Sequence, residues 1–258
     1  MNTISVIIPF YNNSNFLYNC LNSVFIQKVE NIEIILVNDF SDIPPDTSII
    51  NEFIRKGLVI NVINHKTNLG PGIARFTGLK ASKSKYIAFL DSDDEWLLNK
   101  IKIQLTQLLD TNSDCTASKV IDREIFKNTE CERGKFFNEP SFLQNLLNEK
   151  ISIPMSTIII DRKILFEKLC LIKNNEDFNL DHFELLLIMS SMRFHFINEI
   201  LAIYHLHDNN ISKNNTYYFH YAKVLYSFFL KNFNKKRTLF LNHSIQYFFK
   251  GLLHEFTN

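Results

Sequence analysis

The stretch Tyr86-Ile-Ala-Phe-Leu-Asp-Ser-Asp-Asp94 joins an apolar run to a cluster of carboxylates. Five uncharged residues precede Asp91, Asp93 and Asp94, as expected for a buried strand that ends at a polar edge. Carboxylates this close raise one another's pKa unless a cation lies between them, and oxygen ligands suit Mg²⁺ or Mn²⁺. The alternative is a solvated acidic turn in which an Asp caps a helix that begins near Trp96. These residues alone leave both interpretations open.

The composition indicates an ordinary globular core. The 258 residues carry 28 basic and 27 acidic side chains and are 46% hydrophobic, so net charge gives no reason to expect nucleic acid as a partner. No apolar run approaches the ~20 residues that a spanning helix needs, and no signal-peptide pattern precedes the first strand pattern. Four cysteines without metal-ligand spacing predict reduced thiols and a cytoplasmic location.

Upstream of the opening stretch, short apolar runs alternate with helical patterns. The alternation predicts βαβ units, and therefore an α/β fold with a Rossmann-like, mostly parallel central sheet flanked by helices. Ligands of such sheets bind beyond the carboxyl ends of the strands. The predicted strands are Ile4–Phe10, Ile32–Asn38, Leu58–Asn64 and Tyr86–Asp91, and the predicted helices between them are Asn15–Gln27, Asp46–Lys56 and Pro71–Ser82.

Polar or aromatic residues follow the first two strands. Pro9 is predicted to end the first strand, which leaves Tyr11 and Asn12 to face a planar ring and its polar edge. Asp39 follows the second strand, where it can accept a hydrogen bond from a uracil or a ribose. The alternatives are a plain turn with Asn caps after the first strand and an Asx turn before Pro44-Pro45 after the second.

The third strand is followed by a turn suited to phosphate. Gly70 permits close approach of the backbone to a ligand, and Arg75, one turn into the next helix, is within reach of a phosphate. The alternative for Arg75 is an ordinary surface arginine. Because the carboxyl ends of parallel strands meet at one edge, residues suited to one nucleotide converge there, and this favours the metal interpretation of the acidic cluster.

Four motifs in register resemble glycosyltransferase family 2, whose members have the GT-A fold. They are Pro9-Phe-Tyr-Asn, Val37-Asn-Asp-Phe-Ser, Asn68-Leu-Gly-Pro-Gly-Ile-Ala-Arg and Leu90-Asp-Ser-Asp-Asp94. The resemblance covers residues 3–120 well and extends loosely to about 215. It implies inverting transfer from a nucleotide-activated sugar, with Mn²⁺ or Mg²⁺ as the cofactor. The chain departs from the family pattern at Asn38 for an acid, Phe40 for Gly and Phe76 for Asn.

The resemblance also assigns site residues. It implies that Asp93, with Asp91, holds the divalent cation beside the departing diphosphate. It further implies a nucleoside site, for uridine, and contacts to the phosphates or the sugar. The residues assigned to donor binding are Pro9, Tyr11, Asn12, Asp39, Gly70, Arg75, Asp91, Ser92 and His207.

An inverting transferase needs a carboxylate base that removes the proton of the acceptor hydroxyl. Leu180-Asp-His-Phe-Glu-Leu-Leu-Leu187 resembles the helix in which the family carries this base, with Leu180 in place of a Glu. The base is therefore predicted to be Asp181, which opens a helix to Met192. The alternatives are a helix cap without chemistry at Asp181, or Asp177 of the pair Glu176-Asp177 as the base.

Tyr204-His-Leu-His-Asp-Asn-Asn-Ile-Ser212 resembles the family's Tyr-Arg-x-His-x-x-x-x-Ser stretch. The resemblance places His207 near the diphosphate or the metal, closing the site with Ser212. The alternative for His207 is a packing or surface residue. His205 stands where the family has Arg, so any phosphate contact there is expected to be weaker and pH-dependent.

The predicted organisation is a GT-A domain over residues 1–214 and a helical C-terminal extension over 215–258. The extension contains two aromatic-rich helices, Tyr217–Phe233 and Thr238–Phe256, joined by a basic turn. Such a surface suits a membrane face, but packing of the aromatics on the catalytic domain or on a second subunit, as in a homodimer, is favoured. The charged residues 122–138 are predicted to form an irregular, solvated loop, and Asn198-Glu199 a turn.

The resulting expectation is an enzyme that moves one sugar per encounter from a UDP-sugar to a hydroxyl of a glycan or lipid-linked acceptor. The setting is bacterial surface polysaccharide synthesis, either lipooligosaccharide or capsule, at the cytoplasmic face of the membrane. The processive members' Gln-x-x-Arg-Trp motif is absent. Two alternatives are a nucleotidyltransferase, which would carry a Gly-rich basic loop after the first strand, and a non-catalytic sugar-nucleotide-binding or scaffold protein.

Overall fold

The computed structural model describes residues 3–124, 129–134, 142–172, 180–207, 221–226, 241–248 and 250. Within these residues the chain forms one nine-stranded sheet. The strands are β1 (Ile4–Phe10), β2 (Ile32–Asn38), β3 (Val59–Asn64), β4 (Tyr86–Phe89), β5 (Glu95–Trp96), β6 (Cys115–Glu124), β7 (Thr129–Arg133), β8 (Ile159–Asp161) and β9 (Phe194–Leu206). Their order is β3-β2-β1-β4-β8-β6-β9-β5, with β7 paired to β6.

The first four strands form the parallel half of the sheet. The register aligns Ile4 with both Ile32 and Tyr86, so the strands run side by side and end at the same edge. Residues Ile4, Val6 and Ile8 contribute to one buried core and Ile7 to the other, because successive side chains of a strand point to opposite faces. A strand covered on both faces must be apolar throughout, which explains the unbroken runs in the sequence.

Helices cover both faces of the sheet, and the predicted α/β class is confirmed. The three predicted helices that link β1 to β4 are present, with ends that lie within two residues of the predicted ones. The helices are α1 (Ser14–Phe25), α2 (Thr47–Arg55), α3 (Pro71–Ala81), α4 (Lys100–Asp110), α5 (Phe142–Leu147), α6 (Arg162–Ile172) and α7 (His182–Met189).

Helix α3 packs unusually close to the sheet. A Cβ built on Gly78 would lie 2.5 Å from Cγ2 of Ile7 on β1, so no larger residue fits there without a shift. The helix begins with Gly70 at φ 88° and Pro71 in its first turn, an arrangement that favours a sharp entry. The close approach brings the N-terminal part of α3, with Arg75 one turn into the helix, against the edge where the parallel strands end.

The acidic cluster is followed by a short strand, so the helix that the alternative interpretation places near Trp96 begins four residues later, at Lys100. Glu95 and Trp96 pair with Ile203 and Ala202 of β9, and α4 begins only at Lys100. Trp96 is 2% exposed. The large apolar ring is therefore buried by the sheet, which overrides the helical periodicity of the segment.

Part of the predicted irregular loop over 122–138 is an antiparallel hairpin. Strand β6 extends to Glu124 and pairs with β7, and the charges that suggested a loop form cross-strand ion pairs between Asp122 and Arg133 and between Arg123 and Glu130, each at 2.8 Å. The remainder of that stretch lies outside the described residues. The predicted turn at Asn198-Glu199 is instead an irregularity within β9, where the register against β6 shifts.

The described parts of the C-terminal extension, residues 221–226 and 241–248, are helical and pack on the main body. The ring of Tyr221 stacks on Phe183 of α7 at 3.9 Å between centroids, and the Tyr247 hydroxyl donates to the Leu147 carbonyl at 3.0 Å. These contacts support packing of the aromatics onto the protein. The domain boundary at 214 stays a prediction. None of the described helices is long and apolar enough to cross a membrane.

Candidate active site

The carboxylates of the opening stretch lie at the carboxyl end of β4, in a turn closed by the Asp94 N–H donating to the Asp91 carbonyl at 3.0 Å. The turn alternates in exposure: Asp91 and Asp93 are partly exposed, whereas Ser92 and Asp94 are buried. The two predicted metal-binding carboxylates thus face outward together. Ser92, predicted to contact the donor, lies inward and accepts a hydrogen bond from Asn13 Nδ2 at 3.0 Å.

Arg75 is buried against the acidic turn. Its Nη2 lies 2.6 Å from Asp91 Oδ1, and its Nη1 donates to the Leu180 carbonyl at 3.4 Å. Arg75 is 5% exposed, and the two contacts place its guanidinium between Asp91 and the segment that carries Asp181. The contact to a phosphate that the sequence suggested stays a prediction, whereas the contact to a carboxylate was not foreseen.

Two histidines, His205 in β9 and His207 just after it, lie on the other side of the turn. His207 Nε2 lies 2.9 Å from Asp93 Oδ2, and its ring stacks on Phe16 of α1 at 5.1 Å. His205 Nε2 lies 2.8 Å from Glu95 Oε1. His207 is therefore beside a predicted metal ligand, and His205 contacts a carboxylate. Ser212 lies outside the described residues.

Asp94 stabilises the turn from its buried side. Burial raises the pKa of its carboxyl well above the usual value, and the negative charges of Asp93 and Asp91 raise it further. One oxygen accepts a hydrogen bond from Ser156 Oγ and the other accepts from the His205 backbone N–H. Asp94 is thus part of the internal support of the turn.

Ser156 is a support residue that sequence reasoning missed. Its Oγ accepts from the Asp91 N–H at 3.0 Å while donating to Asp94, and its carbonyl accepts from Trp96 Nε1 at 2.7 Å. The residue sits in a 3₁₀ turn, Met155–Thr157, before β8. A buried hydroxyl in an otherwise apolar run was the one available signal, and it is a weak one.

The loops after β1 and β2 are tied together at the predicted nucleoside site. Asn12, at φ 54°, accepts from the Ile43 N–H at 3.1 Å and donates its own N–H to Ser41 Oγ at 3.1 Å. Tyr11 beside it is 46% exposed. Pro9 differs from the prediction: it does not end β1, because it pairs with Val37 inside the strand and is buried.

Asp39 holds the turn before α3. The residue is 2% exposed, and its carboxylate accepts from the backbone N–H groups of Leu69 and Gly70, the latter at 2.7 Å. Its Oδ1 also lies 2.7 Å from His65 Nδ1, and His65 Nε2 lies 2.9 Å from Thr77 Oγ1. A contact from Asp39 to a base would have to replace one of these partners. The role of His65 was not foreseen from the sequence.

Asp181 caps α7, as predicted, and the helix ends at Met189 instead of Met192. Its Oδ1 accepts from the Glu184 N–H at 2.9 Å. The preceding Leu180 donates its N–H to the Gly72 carbonyl at 3.1 Å, and its carbonyl accepts from Arg75. Asp181 is therefore the next residue in the chain after the one that Arg75 connects to Asp91. Glu176 and Asp177 lie outside the described residues.

The donor set at the turn fits a cation held partly by substrate. Among the described residues no group of three or more His, Cys, Asp or Glu side chains is arranged to hold a metal ion. Two outward carboxylates, Asp91 and Asp93, are nevertheless hard oxygen donors, and Mg²⁺ is commonly bound by one or two carboxylates together with phosphate oxygens and water. The residues present therefore fit such an ion and do not form a closed protein cage.

Comparison with known proteins defines the class of protein. The model of the family described as "Glycosyl transferase family 2" matches residues 5–169, and the chain belongs to this family. It resembles the S. aureus TarS structure in complex with UDP-GlcNAc with a TM-score of 0.67 at 18% identity, over 96% of this chain and 73% of that one. This likeness confirms the predicted GT-A fold.

Individual relatives are named glycosyltransferases. An uncharacterized glycosyltransferase, EpsJ of Bacillus subtilis, is 30% identical over 81% of this chain and 63% of its own length. WfaP of Escherichia coli, named as a UDP-Glc:α-D-GlcNAc-diphosphoundecaprenol β-1,3-glucosyltransferase, is 33% identical over 63% of this chain and 62% of its own length. The chain spans only 15% of a Rickettsia bellii relative that is 44% identical to it over 109 residues.

Proposed function

We propose that the chain is an inverting glycosyltransferase that moves one sugar from a UDP-sugar to a hydroxyl of a glycan or lipid-linked acceptor. The observation that carries the proposal is the meeting of two outward carboxylates, Asp91 and Asp93, with Arg75 and the Asp181 segment at one sheet edge. This edge lies at the carboxyl ends of parallel strands, where ligands of such sheets bind.

In this proposal Asp93 and Asp91 hold a divalent cation. The ion would neutralise charge on the diphosphate as it leaves. Arg75 holds Asp91 in place by a 2.6 Å contact, and His207 holds Asp93 by a 2.9 Å contact. Both partners come from segments remote in sequence, so the orientation of the two carboxylates depends on the whole edge and not on the turn alone.

The chemical step is a single displacement. Asp181 accepts the proton of the acceptor hydroxyl while the oxygen of that hydroxyl bonds to the anomeric carbon. The bond from the anomeric carbon to the phosphate oxygen breaks, and UDP is released. The carboxylate stands at the N-terminus of α7, where the helix dipole favours its ionised form. His182 beside it turns away from the site, since its Nε2–H donates to the Ile153 carbonyl at 2.5 Å.

The choice of substrates rests on the relatives. WfgD and WfaP of Escherichia coli are named for transfer from UDP-Glc to a diphosphoundecaprenol-linked sugar, and TarS was crystallised with UDP-GlcNAc. A UDP-hexose or UDP-N-acetylhexosamine donor and a lipid-linked acceptor in lipooligosaccharide or capsule synthesis follow by analogy. Contact with the membrane and a homodimer through the C-terminal helices stay predictions.

The test is release of UDP from a panel of UDP-sugars by the full chain with Mn²⁺, followed by transfer to diphosphoundecaprenol-linked acceptors. Asp93→Asn should reduce release about a hundredfold or more, because the site loses the negative charge of an oxygen ligand to the cation. Asp110→Asn, at the exposed end of α4, is the matched control and should release UDP at the wild-type rate. Donor binding without release or transfer would instead support the non-catalytic alternative.

A further inference from the structure

Phe40 combines two features that are individually costly. Its backbone lies in the left-handed region, at φ 61°, and its side chain is 56% exposed. An aromatic residue at positive φ is strained, because its Cβ crowds the backbone. The other non-glycine residues at positive φ in the described chain are Asn12, Lys28, Asn31, Asn99, Asn112 and Glu149, all of them polar or charged. Strain of this kind persists where a function retains it.

The loops that carry Phe40 and Tyr11 are hydrogen-bonded to each other on both sides of these residues. The Asp39 N–H donates to the Phe10 carbonyl at 2.9 Å, and the Asn12 N–H donates to Ser41 Oγ at 3.1 Å. These two hydrogen bonds bracket Tyr11 and Phe40, so the loops after β1 and β2 present two exposed aromatic side chains from adjacent positions. Exposed aromatic rings in a neighbouring pair are typical of surfaces that stack planar ligands.

The position of this pair relative to Asp91 identifies which part of a donor it faces. Strand β1 lies beside β4, and β2 is the next strand outward. Two strand spacings of about 4.8 Å put the end of β2 roughly 10 Å from the acidic turn. A ribose separates the base of a nucleoside diphosphate from its phosphates, so the base belongs at this end when the diphosphate is at Asp91.

We infer that Phe40 is a nucleotide-binding residue that packs against the nucleobase of the donor together with Tyr11. The inference rests on the proposed function and adds to it a second aromatic contact, made by a residue that stands where the family pattern has glycine. The strained backbone keeps the ring at the ligand-binding edge and out of the protein core. When the nucleotide is bound, the planar face of the base covers apolar surface of Phe40 and Tyr11 that is exposed to water in the free protein.

The test uses two properties that should change in opposite directions. Phe40→Gly should raise the melting temperature, because glycine adopts positive φ without strain. It should also weaken UDP binding about tenfold, the low end of the range for loss of one base-stacking contact (about 1.4 kcal/mol). Phe40→Trp should retain UDP affinity, since it keeps an aromatic face. Phe40→Ala should weaken binding without the gain in melting temperature.

A matched control and a matched ligand make the test specific. Lys28→Gly relieves positive φ, 49°, at an exposed residue after α1, and should raise the melting temperature with unchanged UDP affinity. Ribose 5-diphosphate, which lacks the base, should bind equally to wild type and Phe40→Gly. Equal UDP affinity of these two proteins would overturn the inference alone, whereas a wild type that neither binds UDP nor releases it from donors would overturn the proposed function as well.

Discussion

The guanidinium of Arg75 lies 2.6 Å from the carboxylate of Asp91 and also donates to the Leu180 carbonyl. One buried side chain therefore joins the turn after β4 to the segment that leads into α7. The positive charge of the Arg75 guanidinium offsets the charge of Asp91. The same side chain fixes the spacing between Asp91, a predicted metal ligand, and Asp181, the predicted base. Arg75 acts on the site through these two neighbours.

Replacing Arg75 should destabilise the fold as well as the site. Arg75→Met leaves the carboxylate of Asp91 without its cation in a partly buried place, and removal of one partner of a buried pair costs about 3 to 5 kcal/mol. The Asp91 side chain is 24% exposed, so water replaces part of the interaction and about 2 kcal/mol is expected. Urea unfolding of the single and double variants with Asp91→Asn measures the coupling, and additive effects would contradict it.

The parallel half of the fold was predictable because its signals are local. Strands covered on both faces give unbroken apolar runs, and the helix start at Asp46, which caps α2, was predicted to within one residue. The partners of Arg75 and Ser156 were not predictable. They depend on the insertion of β8 beside β4 and on the close packing of Gly78 against Ile7, which bring together residues far apart in the chain.

Ser156 should matter for both stability and function. Ser156→Ala removes the hydroxyl that bridges Asp94 and the Asp91 N–H, and leaving buried groups unsatisfied costs about 1 to 3 kcal/mol. Donor turnover should fall because Asp91 loses its support. Trp96 is the single tryptophan of the chain and donates to the Ser156 carbonyl, so its fluorescence should shift. Ser118→Ala, a buried serine in β6, is the control and should leave turnover unchanged.

Lys100 is expected to destabilise the fold, and a substitution should relieve this effect. Its side chain is fully buried, its Nζ lies 4.3 Å from the centroid of Trp96, and Nζ has no hydrogen-bond partner among the described residues. Burial lowers the pKa of this amine well below its usual value. Lys100→Met keeps the length without the polar group and should stabilise the fold by about 1 to 2 kcal/mol. Lys102→Met, exposed on the same helix, should change stability little; destabilisation by Lys100→Met would contradict the explanation.

Protonation of His182 is expected to destabilise the folded protein in mild acid. Burial lowers its pKa from the ordinary value of 6.5, although the Ile153 carbonyl opposes the shift. Protonation therefore favours the unfolded chain, so this stabilisation is present above about pH 6.5 and is lost as the pH falls through the lower folded-state pKa. His182→Gln can keep the donor to Ile153 without titrating. Its unfolding free energy should decline less than that of the wild type between pH 7 and 5, and parallel declines would exclude His182 as the cause.

Asp181 as the base is tested most cleanly by asparagine. Asn caps helices about as well as Asp, so Asp181→Asn should retain α7, the melting temperature and the affinity for UDP. Transfer should nevertheless fall by about 10² to 10⁴, because the amide cannot accept the proton of the acceptor hydroxyl. Rapid-mix transfer assays at saturating donor and acceptor isolate this step from binding. Transfer at the wild-type rate would show that Asp181 is a cap alone and would make Asp177→Asn the next variant to measure.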